Sequence, residues 1–404
     1  MTLDSTKSEL MVYGASWCPD CRRAKEFLGS QRIPYTWIDL ESSPEFTAVV
    51  EKINNGKRII PTIVFPDGSI LVEPSNDELA DKLGISRTAQ LMQYDLLIVG
   101  AGPTGLTTAI YAARENISVL IVEKSVTGGQ AGITEKLDNY PGFPDGIGGR
   151  DLADRITRQA EKYGVEILQA VSVNHVEKRD SRIDVTLSTG EVIEAKAVLI
   201  ATGSTYRRTG ATGESDLIGA GIHFCATCDG PFYKGAKELV VVGGGNSGLE
   251  EGLFLTQFAD QVTIIQATGQ LTGSKLLQEK VQNHPKMRVL LNTEVTAFNS
   301  DSGGKLESVS ARYKVKDEVL TLSAAGAFIF IGLDPNTAFV KDLVALDDRK
   351  FIVTDRTFAS NIPGVFAAGD VREGSTKQMA SAVGEGAAAA IQIRFYLDAV
   401  NVHP

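Results

Sequence analysis

The chain is poor in cysteine. Its 404 residues include four, Cys18, Cys21, Cys225 and Cys228, which form two C-x-x-C pairs with none left over. A reducing compartment disfavours stable structural disulfides. A zinc site made of two such pairs usually keeps them within about 20 residues, and these lie far apart. Redox work is therefore the leading reading for both pairs, with zinc the minor one. A basic excess is missing too: 40 Lys and Arg stand against 50 Asp and Glu, a net charge of −10. That excludes a general nucleic-acid binder, which needs cations to neutralise phosphates. No apolar run approaches the ~18 residues of a membrane helix. The amino-terminal MTLDSTKSEL lacks the pattern of a signal or transit peptide. A cytoplasmic protein with neither nucleic acid nor membrane as partner is expected. Histidine is scarce. His175, His284 and His403 show no ligand spacing, no metal is expected, and His223 reads as a packed or surface residue rather than a base. There is no tandem repeat, and GEGAAAAIQI is the one stretch of low complexity.

What is present fits roughly two to four domains. ELMVYG reads as a short strand. CRRAKEFLGS puts Ala24, Phe27 and Leu28 on one helical face and ends near Gly29. PYTWIDL is a second strand, and SPEFTAVVEKINNG a helix opened by Ser-Pro and stopped at Asn-Asn-Gly. RIIPTIVFPDGSILVEP reads as two strands about a Pro-Asp-Gly turn, and NDELADKLG as a last short helix. The order β-α-β-α-β-β-α is that of a thioredoxin fold. Cys18 follows a strand-to-helix turn. At a helix N-terminus, unpaired N–H groups and the dipole stabilise a thiolate, so Cys18 is the candidate nucleophile and Cys21 the resolving thiol. Ile60-Pro61 stands where that fold places a cis-proline beside the pair. The plainer alternative, two small buried hydrophobes, fits poorly with Trp-Cys-Pro-Asp-Cys on a turn.

YDLLIVGAGPTGLTTAIYAARENISVLIVEK is a strand, a G-x-G-x-x-G turn, a helix, a strand and an acid. Gly100 makes the tight turn, Gly102 lets backbone approach a pyrophosphate, and Gly105 lets the helix pack on the sheet. Glu123 stands where a ribose hydroxyl needs an acceptor. ELVVVGGGNSGLEEGLFLTQFADQVTIIQ repeats the grammar with Gly243, Gly245 and Gly248 and implies a second dinucleotide. Its strand ends at Gln266, and the following ATGQLTGSK offers only Lys275 as a cation. NADPH and NADH both stay open. Asp370, after an apolar strand in GVFAAGDV, reads either as a turn-forming cap or as a partner of a flavin's ribityl–phosphate chain.

Two resemblances follow from these residues. Trp17, Cys18, Cys21, Pro61 and the PDGS hairpin, within about 8–84, resemble glutaredoxins and mycoredoxin-like proteins. Asp20 stands where glutaredoxins usually carry an aromatic residue, so glutathione and another small thiol both stay open as partners. GAGPTG, GGQ at 128–130, NYPGF at 139–143, ATG at 201–203, CATCDG, GGGNSG and VFAAGDV, across about 94–404, resemble low-molecular-weight thioredoxin reductases. The resemblance implies α/β architecture: a thioredoxin-fold domain over 1–85, a linker over 86–93, an FAD-binding Rossmann-like domain over 94–207 and 335–404, and an NAD(P)-binding one over 208–334. It implies FAD contacted by Gly100, Gly102, Gly105, Glu123, Gln130, Asn139, Asp370 and Gln378, with Gly203 in the same binding set. It also implies that Cys228 faces the flavin, that Cys225 attacks the outgoing disulfide, that Asp229 manages protons, that the nicotinamide domain rotates, and that the protein is a homodimer. For Asp229 a turn role before Gly-Pro remains the alternative. NADPH-using members carry a His-Arg-Arg cluster where this sequence has Ile265-Gln266-Ala267.

The expected activity is a disulfide reductase. Electrons pass from NADPH or NADH to FAD, to Cys225–Cys228, to Cys18–Cys21 and on to a thioredoxin-, glutaredoxin- or peroxiredoxin-type disulfide. The first mixed disulfide is Cys225–Cys18. A flexible ten-residue linker would span ~17 Å on average and ~35 Å at most, so transfer within one subunit or to a twin both stay open. The runner-up is the flavoprotein of an alkyl hydroperoxide system, though that family carries a double thioredoxin fold and this chain has room for one. A third reading is a flavin-holding redox sensor without turnover.

Overall fold

A computed structural model describes residues 9–132, 134 and 136–402. The amino-terminal MTLDSTKS and His403 lie outside the described residues. By its internal contacts the chain divides into two units. The first comprises the chain up to Thr134, Gly148–Gly203 and everything from Pro335; the second comprises Glu135–Ile147 and Ser204–Asp334.

The first unit opens with the expected element order: β1 (Leu10–Gly14), α1 (Pro19–Ser30), β2 (Tyr35–Asp39), α2 (Thr47–Ile53), β3 (Thr62–Val64), β4 (Ile70–Val72) and α3 (Asn76–Leu83). They form a four-stranded sheet of order β2-β1-β3-β4, with β1 and β2 parallel and the rest antiparallel. The local chemistry explains the ends. Pro-Glu-Phe at 44–46 makes a 3₁₀ turn before α2. Ser75 and Glu78 close a capping box at the start of α3, and Gly84 ends it in the left-handed conformation. Phe27, Leu28, Ile63 and Leu79 are fully buried between helices and sheet. Ile60–Pro61 is cis.

This module is packed on the rest of its unit. Asn76 Nδ2 donates to Ser125 Oγ at 3.3 Å, and Arg32 pairs with Glu161 at 3.1 Å. Val126 and Ala170 join the apolar cluster of Leu79 and Ala80. The linker is not a free coil. Arg87 holds Asp81 through two N–H groups at 2.8 Å, Gln90 N donates to Glu166 Oε1 at 2.8 Å, and the Tyr94 hydroxyl donates to the same carboxylate. The free-coil reach expected of residues 84–93 therefore does not apply.

The body of the unit is a Rossmann-type layer. β5 (Gln93–Val99), α4 (Pro103–Ala113) and β6 (Val119–Val122) form the first crossover. The short α5 (Gly129–Gly132), α6 (Gly149–Lys162), β7 (Glu166–Leu168), β8 (Val173–Lys178), β9 (Ile183–Leu187) and β10 (Val192–Ile200) follow. The sheet runs β7-β6-β5-β10-β9-β8. β6 and the second halves of β5 (Leu96 to Val99) and β10 (Ala197 to Ile200) are continuous buried apolar runs, as strands covered on both faces must be.

The second unit contains β11 (Ser204–Tyr206), β12 (Ile222–His223), α7 (Ala226–Asp229), β13 (Ala236–Val242), α8 (Asn246–Leu255), β14 (Ala259–Ile265), α9 (Lys275–Gln282), β15 (Met287–Leu290), β16 (Thr293–Ser300), β17 (Leu306–Tyr313), β18 (Glu318–Ser323), β19 (Gly326–Ile329) and β20 (Leu333–Pro335). A parallel sheet of order β12-β19-β13-β14-β15 repeats the Rossmann pattern, a β16-β17-β18 meander stands beside it, and β20 pairs with β11. The chain then returns to the first unit, where β21 (Val365–Ala367) pairs with β10 and α10 (Met379–Val402) packs on α4. That crossing is close: Thr108 Oγ1 donates to Gly386 O at 2.9 Å. Among the described residues no helix is long and apolar enough to cross a membrane.

Candidate active site

The amino-terminal pair sits at the start of α1. Cys18 is the N-cap, and its Sγ accepts the N–H of Cys21 at 3.2 Å. The Cys18 thiol also lies 3.8 Å from Ile60 O, on the residue before the cis-proline. Both cysteines are free and buried, while neighbouring Trp17 is half exposed. Burial first, and then the Cys18 side chain, push the Cys21 thiol up to about 12. Asp20 is taken by a salt bridge to Arg23.

The second pair repeats this geometry in the second unit. Cys225 is the N-cap of α7, its Sγ accepts the N–H of Cys228 at 3.2 Å, and the two sulfurs are bonded as a disulfide. Asn139 Nδ2 reaches Cys228 Sγ at 3.8 Å. Asp229 closes α7, with Oδ2 at 3.4 Å from His223 Nδ1. On the far side of that ring, His223 Nε2 lies 2.6 Å from the Tyr233 hydroxyl. His223, read from sequence as a packed or surface residue rather than a base, is half-buried and faces the acid that follows the cysteines.

The two glycine cradles are built alike. Gly100 has φ +107, and a Cβ there would stand 2.6 Å from Ala201 O; Gly243 has φ +118, with Phe330 O at 2.3 Å. Only glycine takes those turns. A Cβ on Gly105 would meet Gly100 O at 2.0 Å, and one on Gly248 would meet Gly243 O at 2.0 Å. The middle glycines differ: Gly102 has open space around its missing Cβ, and Gly245 meets only Thr272 Oγ1 at 3.7 Å. Each is the N-cap of its helix. Crowded outer glycines and an open central one are what a diphosphate laid on a helix N-terminus requires. Gly105→Ala is expected to destabilise the protein by about 2–3 kcal/mol, which a thermal or denaturant melt against wild type checks.

The residues that end the second strands also match. Glu123 Oε2 accepts from Ala101 N at 2.8 Å and Oε1 from Ser125 N at 2.9 Å. Gln266 Oε1 accepts from Gly244 N at 2.8 Å, while its Nε2 donates to Thr268 Oγ1 at 2.7 Å. Gln266 thus does the backbone-holding work of Glu123 without its charge. Nothing in sequence spacing marks that bond except the shared register. Burial pushes the Glu123 carboxyl up, against the two backbone donors. Each carboxylate oxygen keeps a second lone pair for a ribose hydroxyl.

Asp370 lies in the 3₁₀ turn Gly369–Val371, just after β21. A Cβ on Gly369 would meet Thr104 Oγ1 at 2.3 Å, so this turn abuts the first cradle. Burial pushes the Asp370 carboxyl up, countered by Lys377 and by the Ser375 hydroxyl at 3.2 Å. Gln130 is exposed on α5, whose Gly129 approaches Gly102; Gln378 sits half-buried at the start of α10; and Gly203 O accepts from Asn336 N at 3.0 Å. The first unit therefore carries Gly100, Gly102, Gly105, Glu123, Gln130, Gly203, Asp370, Gln378 and the Cys18–Cys21 pair. The second carries Asn139, Cys225, Cys228, Asp229, Gly243, Gly245 and Gly248.

Comparison with known proteins agrees. The family described as pyridine nucleotide-disulphide oxidoreductase matches residues 94–386, and glutaredoxin matches residues 10–70. A thioredoxin reductase of Listeria innocua is 38% identical over 306 residues, covering 76% of this chain and 94% of that protein. One of Bacillus subtilis is 37% identical over 305 residues, covering 76% and 95%. The crystal structure of thioredoxin reductase from Streptococcus pyogenes superposes with a TM-score of 0.72 at 38% identity, covering 76% of this chain and 99% of that one. The chain belongs to the pyridine nucleotide-disulphide oxidoreductase family, with a thioredoxin reductase-like flavoprotein body and a fused amino-terminal glutaredoxin domain.

Proposed function

We propose that this reductase takes electrons from NADPH or NADH through FAD to Cys225–Cys228, then to Cys18–Cys21, and on to a thioredoxin- or glutaredoxin-type disulfide in the cytoplasm, working as a homodimer. The observation that carries this reading is the repeated sulfur geometry. Both pairs sit at a helix start, with the first sulfur accepting the N–H of the second cysteine at 3.2 Å. One chain holds both pairs and two dinucleotide cradles.

In this reading Gly100, Gly102, Gly105, Glu123, Gln130, Gly203, Asp370 and Gln378 hold FAD. Gly243, Gly245 and Gly248 hold the nicotinamide dinucleotide. Bound flavin supplies the exchange of a hydride for electron pairs that thiols accept. The protein's own part begins at sulfur. Cys225, once reduced, attacks the Cys18–Cys21 disulfide; its thiolate forms an S–S bond to Cys18 and expels Cys21. Cys228 then attacks Cys225, restores the inner disulfide and releases Cys18. Asp229 carries a proton to or from the inner pair.

The second cradle shapes nucleotide choice. Gln266 is neutral, and the run Ala267 to Ser274 carries no charge. A 2′-phosphate thus meets neither a repelling carboxylate nor an arginine fork, each charge-assisted bond of which is worth about 1.5–3 kcal/mol. NADPH and NADH are expected to differ by less than about tenfold in kcat/KM. Anaerobic mixing of the purified protein with each nucleotide, followed by flavin absorbance, checks both statements. A colourless protein, or flavin that neither nucleotide bleaches, would overturn the reading.

A further inference from the structure

Next to the inner disulfide lies a trio that the cysteine chemistry leaves unassigned. His223 ends β12 and is the residue two before Cys225. Its ring is held on both nitrogens: Nδ1 faces Asp229 Oδ2 at 3.4 Å, and Nε2 faces the Tyr233 hydroxyl at 2.6 Å. Its faces are held as well. The Phe328 ring lies 5.3 Å away, and the Tyr233 ring meets it edge-on at 5.4 Å. Tyr233 is itself seated by a notch. A Cβ on Gly326 would stand 2.6 Å from the Tyr233 ring and 2.9 Å from its hydroxyl, so only a glycine at that point of β19 lets the phenol lie there.

We propose that His223 is a positioning residue for the Asp229 carboxyl, locked by Tyr233 so that the acid is presented to the Cys225–Cys228 pair in one orientation. This rests on the proposed function above. Opening the disulfide breaks the Sγ–Sγ bond with two electrons, supplied by the reduced flavin, and yields two thiols after uptake of two protons. Asp229, directly after Cys228, handles one of them. Its lone contact of this kind in the trio is the imidazole. A phenol O–H donating to Nε2 leaves the ring proton on Nδ1, the nitrogen that faces the carboxylate. The lock holds across the neutral range, because burial first and Asp229 second push the Tyr233 hydroxyl up to about 12, so it stays a donor.

The titratable groups around His223 are few. α7 brings Cys225, Cys228 and Asp229. The turn Gly230–Tyr233 and the residue after it bring Tyr233 and Lys234. α8 brings Glu251, whose carboxyl takes the N–H of Ala226. β19, Gly326–Ile329, brings none.

The test uses the full chain with FAD bound, a small aromatic disulfide as acceptor, and turnover measured from pH 5.5 to 9.5. Flavin bleaching by nucleotide is followed separately by rapid mixing. His223→Phe is expected to slow disulfide turnover about 10- to 100-fold and to displace the limb of the pH profile that belongs to the acid, with the nucleotide step unchanged. His223→Asn, whose amide offers a donor where Nδ1 stood, is expected to recover turnover to within about threefold of wild type. Tyr233→Phe is expected to fall between the two. Thermal melts and the flavin spectrum show that each variant is folded. Wild-type turnover and pH profile in His223→Phe, or His223→Asn as impaired as His223→Phe, would overturn the inference. Wild-type protein that fails to reduce the disulfide, or a Cys225→Ser variant that still does, would instead overturn the proposed function and the inference with it.

Discussion

Cys225→Ser is expected to lower disulfide turnover by about 10³-fold or more, while nucleotide still bleaches the flavin at close to the wild-type rate. Serine is nearly isosteric and its hydroxyl still caps α7 by accepting the N–H of residue 228, so the local fold survives. What disappears is the bond. An alkoxyl oxygen forms no stable S–O analogue of the disulfide, so two electrons reaching the site find no S–S bond to open. The loss is therefore of chemistry rather than of a positioning contact, and such losses are of this size. Cys228→Ser is expected to be equally inactive but to leave a different trace. Cys225 remains able to attack the Cys18–Cys21 disulfide and is left without its resolving partner, so the Cys225–Cys18 mixed disulfide accumulates and is seen as a disulfide-linked pair of peptides in a non-reducing digest. Turnover within tenfold of wild type in either variant would show that electrons bypass this pair.

Much of the architecture is legible because local chemistry and tertiary need agree. The thioredoxin-type order appears in the sequence as short strands punctuated by Ser-Pro, Asn-Asn-Gly and Pro-Asp-Gly, and each signal has a structural counterpart at 44–46, 54–56 and 66–68. Both glycine cradles are legible for the same reason: a turn at φ above +100° and helix packing onto a carbonyl oxygen admit no other residue. What escapes is long-range. Asn76 bonds to Ser125, and the linker is tied to Glu166, across 49 and 76 residues. No period or motif encodes such pairs. Gln266 escapes because its bond to Gly244 N shows only when the two cradles are laid in register. His223 escapes because a lone histidine carries no spacing, and Tyr233 reaches it only after α7 has turned the chain back.

The amino-terminal pair divides its labour in a way that a second set of substitutions separates. Cys21 is fully buried one turn inside α1, and its thiol is pushed up to about 12 by burial and then by the Cys18 side chain. A raised pKa keeps the proton on sulfur, so Cys21 is a thiol, not a thiolate, through the neutral range. Cys18, the N-cap at the helix start beside half-exposed Trp17, is the proposed exchanging sulfur. Limited alkylation of the reduced protein at pH 7 is expected to modify Cys18 and spare Cys21; Cys21 becomes reactive in folded protein only as pH climbs toward 12, in the range where other groups begin to ionise. Cys18→Ser is expected to lower delivery to a thioredoxin-type protein disulfide about 10³-fold while Cys225–Cys228 still cycles with a small disulfide. Cys21→Ser is expected to stall one step later, with Cys18 held in a mixed disulfide. Formation of that bond removes the Cys18 interactions that help raise the Cys21 thiol, while burial, the larger cause, stays. Equal alkylation of both cysteines at pH 7, or full delivery by Cys18→Ser, would reverse the assignment of attacking and resolving sulfur.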